Sequence, residues 1–423
     1  MNRRKFLDAL AITAAGFAAL PASHEPSLSR YQTGKIRSEA RSLREEFSFP
    51  EGYVYLNTGG IGSVPRFVRE LVSEEWNRLE QAPSPGHDMV FWSDLKRETA
   101  AFLGTGVSPS EIAFTGCATE GINIILNGIE FKKGDEIVTS THEHPALNIP
   151  LLNLSVRKGI KIKTFEPDIH SGLNNVNRVT DLIGKNTKLV FVSHRTATTG
   201  QIFPVKEIGA ALAGRNILFA IDGAQVPGSM PVDLSDLNAD FYTFSCHKWM
   251  LAPRRTGVLW VKENNFDILN PSVTGAYSDS SHSLRERRIE LHTTAQRYEY
   301  GTQNDLLFKG MQASMRFLTA AGIKSVRENN EVLSEDFYSL LNSIPEVTLH
   351  SPSVRDFRSS MISFSVNGKT SAELAGSFAA KNIRIRQVTE AALNAIRVSF
   401  HLYNDKDDLD RITKVLKDLV KNN

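Results

Sequence analysis

Asp222 and Lys248, with the short stretches around them, are where this chain could do chemistry. Asp222-Gly223-Ala224-Gln225 follows the apolar run 216–221, and Cys246-His247-Lys248-Trp249 follows the run 239–245. A carboxylate closing a run as apolar as Ile-Leu-Phe-Ala-Ile stands at the edge of a core, where it is costly unless a cation pairs with it. A lysine directly after a buried strand is desolvated, which lowers its pKa and makes the amine a nucleophile for carbonyls. Two more stretches stand in the same relation to strand-like runs. Gly116-Cys117-Ala118-Thr119-Glu120-Gly121 follows 111–115 and opens a helix, so its amides, that of Ala118 among them, and the Thr119 hydroxyl can bind a phosphate. Thr141-His142-Glu143-His144-Pro145 follows 135–140 and offers a flat imidazole. One ligand uses all four features: pyridoxal phosphate needs a lysine for its Schiff base, an acid beside its pyridine nitrogen, a phosphate cradle and a flat partner for its ring.

These residues need a scaffold that brings several strand ends together. Strand-like runs fall at 53–56, 111–115, 135–140, 160–165, 187–193, 216–221, 239–245 and 257–261, with helical periodicity between them. Strands alternating with crossover helices predict an α/β fold with a mostly parallel sheet covered on both faces. In such sheets ligands sit outside the carboxyl ends of the strands. After residue 305 the pattern changes to two long helices, 306–322 and 325–342. Short strands follow at 346–350, 359–366, 383–387 and 394–400. Thr370-x-x-Glu373 is a capping box, and Leu409, Ile412, Leu416 and Val420 mark one face of a last helix. The expected division is a large α/β domain over 51–305 and a smaller C-terminal α+β domain over 306–423.

The chain has 423 residues, 41% of them hydrophobic and 23% charged, enough to bury a full core. A net charge of +2 gives no basic excess for a nucleic-acid partner. Two cysteines, Cys117 and Cys246, exclude a disulfide scaffold. Residues 1–23 read as a signal peptide: Arg3-Arg4-Lys5-Phe6-Leu7, an apolar run from Ala9 to Leu20, then small residues. The run is too short to span a bilayer, which takes about 20 residues, and the paired arginines resemble a twin-arginine export signal. The expectation is a periplasmic or secreted enzyme with 24–50 as a linking arm and no stable membrane anchor.

Asp222-Gly-Ala-Gln225 and Ser245-Cys-His-Lys248, taken together, resemble the class V aminotransferase family of fold-type-I pyridoxal-phosphate enzymes. Also similar are Gly116 through Asn123, Glu143-His144, Tyr300-Gly-Thr302-Gln-Asn304 and Ile396-Arg397 through Asn404. The likeness spans about residues 50–420, and it rests on the joint order and spacing of the motifs. The resemblance implies that Lys248 forms the internal aldimine and moves protons at the α-carbon. Asp222 would pair with the pyridinium nitrogen, Gln225 would bond the ring hydroxyl, and His144 would stack on the ring. Ala118, Thr119, Ser245 and His247 would hold the phosphate, with Thr302 reaching across from the other subunit of a homodimer. Arg397 would bind the substrate α-carboxylate. Strand alternation supports that role by setting Arg397, Ser399 and His401 opposite Ile396, Val398 and Phe400. Arg384 and Arg386 share a similar alternation, as a second site or an exposed edge.

Two departures bear on the reaction. Cysteine desulfurases need a mobile nucleophilic cysteine upstream of the carboxylate-binding arginine, and residues 386–394 contain none. That argues against a persulfide route. Where desulfurases present Asn to the ring oxygen, this chain reads Thr196-Ala-Thr-Thr-Gly200, which shifts the likeness toward the isopenicillin N epimerase-like branch. Epimerisation or racemisation, β-elimination and transamination all remain open. The substrate is an amino acid or a derivative, with pocket contributions expected from 57–60, 85–87 and 274–297. Arg285, Arg287, Arg288 and His292 in the last stretch point to an acidic substrate. Other readings are a catalytically degenerate binding protein, or a hydrolytic metal site built from His142, His144, His247 and Asp222.

Overall fold

The computed structural model describes residues 43–83 and 87–421. The export-signal and linking-arm expectations therefore fall outside the described residues, apart from the end of the arm, and so do Pro85 and Gly86. Among the described residues no helix is long and apolar enough to cross a membrane.

A seven-stranded sheet forms the centre of the molecule, built from β2 (Ile112–Thr115), β3 (Glu136–Ser140), β4 (Lys161–Phe165), β5 (Thr187–Ser193), β6 (Leu218–Asp222), β7 (Phe241–Ser245) and β8 (Gly257–Val261). Their order across the sheet is β2-β8-β7-β6-β5-β3-β4. Strands β7-β6-β5-β3-β4 run parallel, and β8 lies antiparallel between β2 and β7. Strands β2, β3, β7 and β8 are buried at every position. Apolar runs without alternation produce this pattern when both sheet faces are covered. One face packs on α1 (Arg66–Gln81), α2 (Met89–Leu103), α5 (Asn174–Thr180), α6 (Val205–Leu212) and α7 (Asp305–Ala321). The other packs on α3 (Ala118–Gly128) and α4 (Pro145–Lys158).

The C-terminal part carries a four-stranded antiparallel sheet, β11 (Val347–Leu349), β12 (Met361–Val366), β15 (Ala395–Ser399) and β14 (Arg386–Val388), in that spatial order. Leu333, Phe337 and Leu341 of α8 (Ile323–Asn342), Leu374 and Phe378 of α9 (Ser371–Ala379), and Leu409, Ile412 and Leu416 of α10 (Lys406–Lys421) cover it. Helix α9 opens on the expected capping box: Thr370 Oγ1 accepts from the Glu373 amide at 3.2 Å, and Glu373 Oε2 accepts from the Thr370 amide at 2.7 Å.

Two features depart from the sequence reading. The run 383–387 is split. β13 (Ile383–Arg384) leaves the sheet to pair in parallel with β1 (Val54–Tyr55), and only β14 continues beside β15. Val54 and Leu56 consequently pack into the C-terminal core, although they precede the large domain's sheet in sequence. The stretch 274–297 contains an unanticipated hairpin, β9 (Asp279–Ser283) and β10 (Arg288–Leu291). β9 is polar, β10 has only Ile289 and Leu291 as apolar residues, and neither strand is fully buried anywhere, so no apolar run announces them.

Candidate active site

Strands β5, β6 and β7 are in register at their carboxyl ends, with Ser193 opposite Asp222 and Asp222 opposite Thr243. The loops leaving them therefore start at one level. They meet β14 and β15 across a cavity of about 280 Å³. Its lining includes every residue to which the family resemblance gives a cofactor or substrate role except Thr302: Lys248, Asp222, Gln225, Ala118, Thr119, His144, Ser245, His247 and Arg397. Thr302 is exposed on its own chain and stands away from that chain's cavity.

Lys248 is strongly altered by this setting. Burial lowers its pKa to about 8, with Asp222 pulling it back up and Arg397 and Arg386 pushing it further down. Asp222 is 5% exposed, and burial raises its pKa against the opposing pull of Lys248. One of its oxygens accepts from the Ala224 amide at 2.8 Å. This carboxyl is placed to receive a positively charged donor, which would offset its desolvation.

The first turn of α3 meets the end of β7. The Ala118 amide donates to Ser245 Oγ at 2.9 Å, and Thr119 stands exposed at the cavity mouth. His247 Nδ1 is buried without a hydrogen-bond partner among the described residues. Burial, with Lys248 beside it, holds the imidazole neutral with a pKa of about 4. An orphaned ring nitrogen, a serine hydroxyl and a helix N-terminus at one spot fit a phosphate.

His144 is fixed by the helix it caps. Its Nδ1 accepts from the Ala146 amide at 3.1 Å, with Pro145 in the first helical turn. That bond places the ring proton on Nε2. Burial lowers its pKa to about 4, so the ring is neutral and flat at physiological pH.

Gln225 differs from the sequence expectation. Its Nε2 donates to the Gly59 carbonyl at 2.9 Å and its Oε1 accepts from Trp249 Nε1 at 2.7 Å. The carboxamide clamps two walls of the cavity together, and a single N–H is left over for a ligand.

Arg397 is fully buried on β15, directly opposite Arg386 of β14. Nη1 donates to the Ala197 carbonyl at 2.5 Å and Nη2 to Asn57 Oδ1 at 3.4 Å, while Nε has no partner among the described residues. Burial and the neighbouring Arg386 push its pKa well below the usual guanidinium value. Glu390 pairs with Arg386, and no carboxylate is paired with Arg397 among the described residues. Such a guanidinium, facing a cavity, suits a ligand carboxylate. Gly59 makes room for it, since a Cβ there would lie 2.9 Å from Arg397 Nη2.

Several expectations change in the structure. Gly59 and Gly60 line the cavity, but His87 lies in a separate one, stacked on Tyr277 at 4.1 Å. Arg285, Arg287 and Arg288 are exposed on the β9–β10 hairpin, and Arg288 pairs with Glu290 at 2.6 Å. His292 bonds Gln296. None of the four lines the cavity, so they lend no support to an acidic substrate. Arg384 is exposed, whereas Arg386 faces the cavity. Arg195, a buried residue of the lining, went unmarked in the sequence reading. Both cysteines are free, Cys117 at the cavity and Cys246 in the core. Among the described residues no group of three or more His, Cys, Asp or Glu could hold a metal ion.

A mostly parallel sheet with a lysine and an aspartate at its carboxyl ends, closed by an arginine from a second sheet, is the architecture of the fold-type-I pyridoxal-phosphate enzymes. Residues 90–412 match the class-V aminotransferase family, and the chain belongs to it. A probable cysteine desulfurase from Pyrococcus abyssi is 27% identical over 396 residues, covering 90% of this chain and 97% of that protein. An isopenicillin N epimerase from Amycolatopsis lactamdurans is 26% identical, covering 90% and 98%. The apo cysteine desulfurase of Thermococcus onnurineus NA1 superposes with a TM-score of 0.82 at 25% identity, covering 90% of this chain and 98% of that one.

Proposed function

We propose that this chain is a pyridoxal-phosphate enzyme acting at the α-carbon of an amino acid or amino-acid derivative. The observation that carries the reading is the pairing, in one cavity, of a desolvated Lys248 with the buried carboxyl of Asp222. Bound there, pyridoxal phosphate supplies an electron sink for negative charge developing at the α-carbon. Lys248 would anchor the cofactor through Nζ and is placed to hold and move a proton at the α-carbon, a task suited to a pKa of about 8. Asp222 would hold a proton on the ring nitrogen. The Ala118 and Thr119 amides, Ser245 Oγ and His247 hold the phosphate. Arg397 orients the substrate through its carboxylate. His144, being neutral, does not compete with Lys248 for the proton.

For the reaction itself, we propose epimerisation or racemisation, β-elimination or transamination rather than a persulfide route. The relatives include proteins named as cysteine desulfurases, but the connection from β14 to β15 in this chain contains no cysteine. Cys246 is sealed in the core, and burial pushes its thiol pKa up. Likeness to the epimerase supports the same direction. We further propose that residues 1–23 direct twin-arginine export to the periplasm or medium, on the strength of Arg3-Arg4 and the short apolar run. Thr302, exposed and away from its own cavity, supports a homodimer in which it serves the other subunit.

The test is the visible spectrum of the purified protein with and without borohydride, beside Lys248→Ala. A yellow band that borohydride bleaches, absent as a lysine-linked species in the variant, supports the reading. A colourless protein that takes up no added pyridoxal phosphate refutes it. Amino acids are then scored for racemisation, elimination and keto-acid formation. Changing Arg3 and Arg4 to lysine should stop export in a cell-fractionation assay.

A further inference from the structure

Arg195 lines the cavity without a task in the proposed chemistry and, unlike Arg386 with its Glu390, without a carboxylate partner among the described residues. Beyond the end of β5 the backbone alternates: Ser193, Arg195 and Ala197 face the cavity, while His194 turns away to Tyr242 at 3.0 Å. Arg195 is 2% exposed. Its guanidinium lies over the Trp249 ring at 4.4 Å, and Nη2 donates to Ser229 Oγ at 2.8 Å. Its Nε is buried with no partner, and no carboxylate is paired with it among the described residues. A buried cation held by one neutral hydroxyl and a ring face is incompletely compensated.

Its place in the sheet says what would compensate it. Ser245, His247 and the first turn of α3 gather on the β7 side of β6, whereas Arg195 leaves β5, on the other side. Arg195 thus flanks Asp222 opposite the phosphate cradle. A pyridoxal ring with its nitrogen at Asp222 and its phosphate arm in that cradle carries its ring oxygen on the side away from the arm. Gln225, expected from the family to meet that oxygen, is largely committed to Gly59 and Trp249.

We propose that Arg195 is an anion-binding residue of this cavity, receiving an oxyanion on the flank of Asp222 away from the phosphate cradle, and that in the resting enzyme this oxyanion is the cofactor's ring phenolate. The proposal rests on the pyridoxal-phosphate reading of the site. A second acidic group on the substrate offers the same oxyanion chemistry, and the experiment separates the two sources.

The holoenzyme is titrated by visible absorbance from pH 5 to 10 in the wild type, Arg195→Met, Arg195→Lys and Ser229→Ala. A cation against the phenolate disfavours the protonated form of the lysine-linked chromophore. Arg195→Met should therefore raise the midpoint by at least about one pH unit, a tenfold change in proton affinity. Arg195→Lys should shift it less, and it keeps the test open should the methionine variant fail to fold. Ser229→Ala, which removes the hydroxyl that holds Arg195 and bonds the Val226 carbonyl but leaves the guanidinium, should leave the midpoint in place. An unmoved midpoint, with spectral titration showing at least tenfold weaker binding of L-aspartate and L-glutamate but not of L-alanine, assigns the oxyanion to the substrate and overturns the phenolate. Unchanged midpoints and unchanged ligand binding overturn the anion role altogether, as does a Ser229→Ala shift matching that of Arg195→Met. A wild type that takes up no pyridoxal phosphate fails earlier, at the reading of the cavity itself.

Discussion

Arg397→Met should separate stability from substrate binding. In the wild type the guanidinium is fully buried and no carboxylate is paired with it among the described residues. Removing it forfeits one good hydrogen bond, to the Ala197 carbonyl at 2.5 Å, and one long one, to Asn57 at 3.4 Å. The stranded carbonyl costs about 1–3 kcal/mol. Against that, the substitution relieves a buried charge whose desolvation is worth several kcal/mol. The two effects nearly cancel, so unfolding by denaturant should change by no more than about 1 kcal/mol, in either direction. Substrate binding has no such offset. A carboxylate held by two charge-assisted hydrogen bonds loses about 3–6 kcal/mol, which is a factor of roughly 10² to 10⁴ in affinity. Spectral titration with an amino acid, and with the amine lacking its carboxylate, reads this directly. The wild type should prefer the amino acid strongly, and the variant should bind both alike. A destabilisation above about 3 kcal/mol, or a loss of affinity below about tenfold, would refute the account of Arg397 as a waiting anion receptor.

Two further perturbations probe the frame around it. Glu143 is fully buried beneath the cavity, and its carboxylate accepts from Ser140 Oγ at 2.6 Å and from the Ser193 amide at 3.2 Å. Burial raises its pKa from 4.5 to about 7, so the folded state holds this proton more tightly than the unfolded chain. Its contribution to stability is complete below pH 4.5 and is lost as pH rises through 7, amounting to about 3 kcal/mol at most. Glu143→Gln should flatten that part of the stability–pH curve, and an unaltered curve in denaturant titrations from pH 4 to 8 would sink the assignment. Gly62→Ala puts a Cβ 2.0 Å from the Lys248 carbonyl. It should cost about 1–3 kcal/mol and loosen cofactor retention on dialysis. Wild-type melting and retention in that variant would show that the 57–62 loop does not brace Lys248.

The large sheet was legible because most of its strands are rich in apolar residues, and the chemistry sits at their ends or within four residues beyond. Lys248, Asp222 and the α3 turn could be placed that way without any long-range information. Arg195 stands in an equivalent position but was passed over, because an arginine after a strand reads as a solvated side chain. Its burial comes from Trp249 and Ser229, which only the fold brings beside it. The commitment of Gln225 was hidden for the same reason, since one of its partners is the distant Gly59. Arg384 and Arg386 looked equivalent by alternation, yet the chain changes strand partners between them, leaving one outside and turning the other inward. The β9–β10 hairpin was invisible because β9 is wholly polar and the alternation Arg288-Ile289-Glu290-Leu291 of β10 is only four residues long.

The pairing of β1 with β13 also sets the order in which the enzyme can be finished during synthesis. Asn57 and Arg397 touch although 340 residues separate them. The strand that seats Val54 and Leu56 is made after every strand of the seven-stranded sheet. Closing so long a loop is slow compared with folding the sheet already made. From the synthesis of Lys248 until that of Arg397, a nascent chain therefore carries Lys248, Ser245 and the first turn of α3 with one wall of the cavity missing. The wall that carries Arg397 is added only with β14 and β15, so a chain stopped before Arg386 should be able to capture a cofactor and unable to choose an amino acid.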